Sequence, residues 1–512
     1  DNIQFAQIDT SANTVNFIDS ALASDVVIST SGAVSTTGAF TANGTIKLDG
    51  SYPTGTDNTA LGDTALDSVE AGGTSNTVIG HNAGTAITTG DGNTAVGDLA
   101  LDANTTSNDN VAIGRCALTT NITGANNVAV GSYSLRDNTG SDNVAVGQGS
   151  ALLTTGGCNV SVGSNSLKCN VGGTSNVAVG FESLKANTTA TNNVAIGRSA
   201  LAFNTTGGDN VAVGKDASCK NTTGSKNTSV GFIALGCNTT GAFNTALGFE
   251  SLLCNTTANN NTGIGMCSLR LNTTGTNNTA VGCGALTANT TGCCNVAIGR
   301  NALDANTTAS NNTAVGMSSL GANTTGTANT ALGKDSLATN STGNNNVAVG
   351  NCALAVNTAS NNTAVGTSAL IANNTGGCNT AIGHSALTAN TSGLQNVALG
   401  VCSLNSNTTA HNNVAVGFCA LKTNSTGTLN VSVGNFTMED TTTGSCNTAL
   451  GYRALCDNTE GGNNTSVGAC TMTSNTTGGD NVAIGRDALQ ANTTATVNTA
   501  VGSFALKANT TG

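Results

Sequence analysis

The chain has no Trp, a single Pro (Pro53) and only 3% aromatic residues. Charged residues make up 8% of its 512 positions, where an ordinary soluble domain carries about 25%. A large globular core built on aromatic bulk is therefore excluded. No apolar run approaches the roughly 20 residues a helix needs to span a bilayer, so no membrane insertion is expected in this segment. No charged-then-apolar leader stands at the start. The net charge of −11 is thinly spread and no basic patch occurs, so nucleic acid is not an expected partner. The three His (His81, His384, His411) are far apart and read as loop residues. Carboxylates recur at no fixed spacing that would build a calcium ladder. Fragments such as Gly263-Ile264-Gly265 lack the strand–helix context of a phosphate loop. With no catalytic constellation, cofactor motif or metal pattern, the chain reads as a non-enzyme.

What is present is one sentence repeated. Asn193 to Asp209 reads N-V-A-I-G-R-S-A-L-A-F-N-T-T-G-G-D, and Asn210 opens the next copy. Counting the opening Asn as position 0 gives 27 copies from Asn58 to Asn498. The spacing is 17 except for 18 after Asn58 and 16 after Asn127, Asn143 and Asn346. A fixed short period marks a solenoid in which each unit packs on its neighbours. Seventeen residues are too few for a two-helix repeat of about 33 or more, and suit one β-solenoid coil of two short strands and two turns. High Gly, Asn and Thr at low complexity would otherwise suggest disorder. A disordered chain has no reason to keep its aliphatic positions in register.

The pattern predicts the roles. Position 1 is Val or Thr and position 3 is Val, Ile or Leu in all 27 copies, with a small residue between them in 26 (Val78 is the exception). This alternation predicts a strand with its β-branched face on the core, opposite the Leu usual at position 8. The Ala at position 2 would then face outward and let strands of neighbouring chains approach. Position 4 is Gly in every copy, including Gly114, Gly197, Gly299 and Gly417, as expected where φ is positive or another backbone comes close. The Asn-Thr-Thr-Gly block from position 11 closes the coil.

Residues 1–57 lack the register. Val26-Val27-Ile28 and Thr45-Ile46-Lys47-Leu48 read as short strands of a cap or linker. The array, 58–512, ends inside a repeat at Gly512 and is expected to continue in a longer polypeptide.

Seventeen Cys form no zinc pattern. Cys402 and Cys419 share position 6 on successive copies, and Cys237 and Cys254 share position 10. Stacked coils place equivalent Cα atoms about 4.8 Å apart, inside the disulfide window of ~4.4–6.8 Å. Cross-coil bridges are candidates, and would imply an oxidising, extracellular setting. The alternative is Cys as a small residue in place of Ala or Ser. At position 11, Asn187, Asn204, Asn221, Asn238, Asn255, Asn272, Asn289, Asn306 and Asn323 open N-x-Thr acceptors for N-glycosylation. The structural alternative is a ladder of stacked Asn and Thr side chains.

The core Asp109-Asn110-Val111-Ala112-Ile113-Gly114, with Asn192-Asn193-Val194-Ala195-Ile196-Gly197, resembles the head repeat of trimeric autotransporter adhesins. The longer unit with A-L-x-x-N-T-T-G, and Asn43 to Gly50 before the array, is similar to bacteriophage tail-fibre repeats. The resemblance covers about residues 43–512. It implies a parallel β-roll, a homotrimer or filament of copies of itself, and a cell-surface receptor or glycan as partner. The expected function is a structural or adhesive fibre, the shaft or head of an extracellular or virion appendage. The alternative is an ice-binding or other flat-surface-binding solenoid. Adjacent Thr at positions 12 and 13 point to opposite faces, however, and leave one file per face.

Overall fold

The computed structural model describes residues 7–9, 14–16 and 55–511. The short strands expected at 26–28 and 45–48 lie outside these. The chain divides into two units, Asp1–Leu48 and Asp49–Gly512. In the first, β1 (Gln7–Asp9) pairs antiparallel with β2 (Thr14–Asn16).

The second unit is an all-β parallel solenoid. Each repeat contributes one three-residue strand, from β3 (Thr59–Leu61) to β29 (Thr499–Val501), and each strand pairs in parallel with the next in sequence. Register is strict: Val194, Ala195 and Ile196 oppose Val211, Ala212 and Val213. The second strand expected per coil is absent, and turns and bends replace it. The backbone nevertheless bonds to its neighbours all the way round. In the Asn193 coil, Val194 N donates to Asn210 O (2.8 Å), Leu201 N to Ala217 O (3.0 Å) and Thr205 N to Thr222 O (2.9 Å), all in the coil above. Gly197 N and Asp209 N donate to the coil below. Stacking therefore satisfies the peptide groups on every side, although most of the coil is too sharply turned to be strand.

The strand faces the opposite way from the sequence expectation. Ala195 at position 2 is fully buried, as are its counterparts along the array after the partly buried Ala60 of the first coil, while Ile196 at position 3 is 40% exposed. The core holds Ala at position 2, Ala or Ser at position 7 and Leu at position 8. A 17-residue ring is so narrow that one Leu nearly fills it, and only a methyl fits across from it.

Positions 7 and 8 are consecutive yet both buried, as Ala200 and Leu201 are. A strand cannot do this, because successive side chains alternate. The chain does it by placing residues in the left-handed region at positions 6, 8 and 16, as with Ser199 (φ 54), Leu201 (φ 50) and Asp209 (φ 59). For Leu this costs about 1–2 kcal/mol, against a burial gain of about 1.5–3 kcal/mol for a fully enclosed Leu.

The irregular spacings are absorbed in one turn. The 16-residue copies lose a residue between positions 11 and 14, yet Asn138 Nδ2 still reaches Gly140 O (2.8 Å) and Asn357 Nδ2 reaches Ala359 O (2.8 Å).

Candidate functional site

The repeat acts as its own comparison series. Positions that stay constant and point inward are explained by packing. Those that stay constant, or carry unusual chemistry, and point outward are where function belongs.

The position 4 Gly are constant for a reason of backbone packing between coils. Gly114, Gly197, Gly299 and Gly417 have φ of +132, +131, +131 and +135. A Cβ on Gly299 would lie 2.5 Å from Gly316 O, so both expected reasons for Gly hold there.

The position 11 Asn face inward. All nine candidate acceptors, Asn187 through Asn323, are fully buried. Asn204 Nδ2 donates to Asn187 Oδ1 (3.1 Å) and Gly207 O (2.9 Å). Asn221, Asn238, Asn255, Asn272, Asn289, Asn306 and Asn323 repeat this pair of bonds, and Asn187 makes it to Asn170 and Ala190. A sugar on Nδ2 would remove one of these hydrogens and has no room. The acceptor reading is therefore corrected to a buried amide ladder. A second ladder at position 0 runs beside it, with Asn193 N and Nδ2 both donating to Asn176 Oδ1 (3.0 and 3.2 Å).

The four candidate disulfide residues, Cys402 with Cys419 and Cys237 with Cys254, occupy equivalent places on adjacent coils and are free thiols. Burial pushes the Cys419 and Cys254 thiols up. Among the described residues no group of His, Cys, Asp and Glu is placed to hold a metal ion. His81 is exposed, with Nδ1 3.0 Å from Asp98.

Three outward features remain. The first is the sheet face. Position 3 is aliphatic in all 27 copies and position 1 is Val in 13 and Thr in 14, with no charge on either. Ile113, Ile196, Leu247, Ile298, Leu332, Ile382 and Leu450 are exposed along it.

The second is a file of Thr at position 13, exposed on ten successive coils from Thr189 to Thr342. The preceding Thr is half-buried and locked, as where Thr205 Oγ1 donates to Thr222 O (3.0 Å).

The third feature was missed in the sequence. Positions 5, 6 and 9 lie together on one edge, where they carry 13 of the array's 15 Lys and Arg and 8 of its 10 aromatic residues. Phe232 stacks on Phe249 (5.4 Å between ring centroids), and Phe436 meets Phe418 (5.2 Å) and Tyr452 (6.2 Å) edge-on. Lys215 lies 5.2 Å from the Phe232 ring, and Arg486 lies 4.6 Å from that of Phe504. Arg270 at position 9 pairs with Glu250 at position 6 of the coil below (2.6 Å). The edge opens into a groove of about 300 Å³ beside Gly149, lined by Tyr133, Arg136, Gln148, Asn165 and Lys168 among others. Sorting the variable positions by their place in the repeat is the signal that would have found it.

A scan against family models, a search of curated proteins and a search of solved structures found no match to this chain.

Proposed function

We propose that the chain is a structural and adhesive fibre protein, the shaft or head of an extracellular or virion appendage, and that copies associate side by side through the outward face of the sheet. The observation that carries this is the uncharged face repeated on every coil, aliphatic at position 3 throughout and Val or Thr at position 1. With strands about 4.8 Å apart, the array is a stack of roughly 130 Å, and two side chains per strand make the face on the order of 1,000 Å². The position 3 file alone, about half of that face, already reaches the few hundred Å² of contiguous apolar surface that a monomer rarely exceeds, and the whole face supplies the roughly 800 Å² a stable interface takes from each partner. Identical coil spacing lets a second copy meet the same face in register.

The Ala invoked from the sequence is buried and cannot mediate this contact; the aliphatic residues beside it can. Three copies is the number implied by the adhesin-like repeat. Light scattering with small-angle scattering tests the proposal. The expected result is an elongated particle with the mass of several chains. The triple variant Ile196→Lys, Ile298→Lys, Ile382→Lys should reduce it to a rod of one chain. A wild-type rod with the mass of one chain would remove the association.

The exposed Thr file favours one second reading, a surface that binds ice. A thermal-hysteresis measurement separates the two, since the fibre reading expects none.

A further inference from the structure

The groove beside Gly149 is the place where the edge of positions 5, 6 and 9 becomes concave. Two successive 16-residue copies, opening at Asn127 and Asn143, run through it. At position 6 the middle coil carries Gly149, between Tyr133 below and Asn165 above. The missing side chain makes the gap: a Cβ on Gly149 would stand 3.1 Å from Asn165 Oδ1.

The lining has a definite chemistry. Lys168 makes no ion pair among the described residues. Arg136 is held by Asp137 through Nε (2.9 Å) and Nη2 (2.6 Å). The Asp137 carboxylate holds the Arg136 guanidinium above its ordinary pKa, so Arg136 stays charged. Arg115 donates from Nη2 to the Tyr133 hydroxyl (2.5 Å) and lies 5.3 Å from the ring. Two cations, Arg136 and Lys168, thus line the groove against the carboxylate of Asp137, while Arg115, which Asp98 also faces, stands behind Tyr133. Gln148 and Asn165 add amide donors and acceptors, and Tyr133 adds an aromatic surface with a fixed hydroxyl.

We propose that this groove binds an acidic saccharide, a sugar ring bearing a carboxylate. The carboxylate takes Lys168 and the accessible side of Arg136. Sugar hydroxyls bond to Gln148 and Asn165, whose amides offer both donors and acceptors. The C–H face of the ring packs on Tyr133, whose side chain combines apolar area with a polar tip. The volume is at the lower end of ligand sites, about 300–1,000 Å³, which suits one or two sugar rings and excludes a folded partner. A bare anion would leave the aromatic and both amides unused, and a neutral sugar would leave Lys168 unpaired. The proposal deepens the adhesive part of the fibre reading by naming the class of ligand and its place.

The repeat supplies its own test. Asn occupies position 6 in other coils with the same backbone, as Asn82 (φ 50), Asn165 (φ 53) and Asn301 (φ 56) show, while Gly149 has φ 60. Gly149→Asn therefore closes the groove in a backbone conformation that Asn already holds elsewhere in the array, with the Asn165 side chain giving way slightly, and Lys168→Glu reverses its free charge. Calorimetric titration of the whole chain with trigalacturonate should show binding that weakens as salt rises. Each variant should weaken it at least about tenfold, the loss expected for one hydrogen bond to a charged group. Maltotriose and acetate, the neutral-sugar and bare-carboxylate arms, should bind at least as much more weakly than trigalacturonate. No binding of trigalacturonate, unchanged affinity in Gly149→Asn, or equal affinity for either control would overturn the assignment. Light scattering on the same variants keeps the two readings apart, because closing the groove should leave the particle mass unchanged.

Discussion

Val78 stands over the space that Gly84 leaves in the core. In most coils a small residue at position 2 faces a larger side chain, usually Leu, at position 8, Ala151 and Ser218 being small exceptions; in the coil opened by Asn76 the large and small residues have changed places. A Cβ on Gly84 would meet Val78 Cγ2 at 3.3 Å and Ile87 Cδ1 at 2.9 Å. Val78 and Ile87 are both fully buried and together fill the volume of the missing Leu.

Val78→Ala should therefore open a cavity and destabilise its coil by about 2 kcal/mol. The combined change Val78→Ala, Gly84→Leu, Ile87→Asn restores the usual coil and should recover the loss. Hydrogen exchange of the amides between Asn76 and Asn93 reads both locally. Equal protection in the single and triple variants would show that the swap is not a packing compensation.

Gly299 and Arg300 are neighbours with opposite tolerance. Gly299→Val forces a β-branched residue to φ +131 and drives its Cβ to 2.5 Å from Gly316 O. Arg300 is exposed. The Gly299 change should cost at least about 3 kcal/mol, from strain and clash together, and the same change at Arg300 less than about 0.5 kcal/mol. Equal protease susceptibility of the two variants near this coil would count against the role given to Gly299.

The period, the strand position and the Gly requirement were legible because each rests on backbone geometry that recurs in every copy. The side of the strand was not. The sequence V-A-I alternates equally well with either face inward, and hydrophobicity alone places Val194 and Ile196 inside. What decides the matter is the width of the ring, which depends on a left-handed Leu201 and so on conformations the pattern does not announce. One residue did carry a pointer: Val78 breaks the small-residue rule in a coil in which Gly84 breaks the Leu rule, as expected of residues that face each other, although Ala151 and Ser218 break the Leu rule with Ala145 and Ala212 still small. The Asn at position 11 carries two readings in the sequence, glycosylation acceptor and turn or ladder residue, and the buried amides form the ladder. Its N-x-Thr context matched a glycosylation motif only because Thr at position 13 is the exposed partner of the locked Thr at position 12.

The amide ladder has a fault at Thr441. This residue takes the place of Asn at position 11; its Oγ1 is buried without a partner, and so is Asn424 Oδ1 in the coil before it. Thr441→Asn supplies the missing amide, with Nδ2 placed to donate to Asn424 Oδ1. Removing two buried unsatisfied groups should stabilise this region by about 1–3 kcal/mol. Slower hydrogen exchange between Asn424 and Asn458 is the expected readout. Faster exchange would mean that the site cannot accept the larger side chain.

The thiols offer a test of burial and of redox setting together. Cys456 is 2% exposed, and burial, with the neighbouring Asp457, pushes its pKa up to about 12. Cys158, Cys294, Cys378 and Cys446 are exposed. Alkylation of the folded protein at pH 8 should label these four first and leave Cys456 unlabelled until the chain unfolds, because the thiolate is the reacting form. The buried thiol also sets a sign for stability. Its contribution is complete at neutral pH, declines once pH passes the ordinary thiol range and is lost as pH rises through about 12. Peptide mapping of unreduced protein from its native source reads the candidate bridges in the same experiment. Linked peptides holding Cys402 with Cys419, or Cys237 with Cys254, would place the chain in an oxidising compartment; four singly alkylated cysteines would remove that inference and leave the solenoid as it stands.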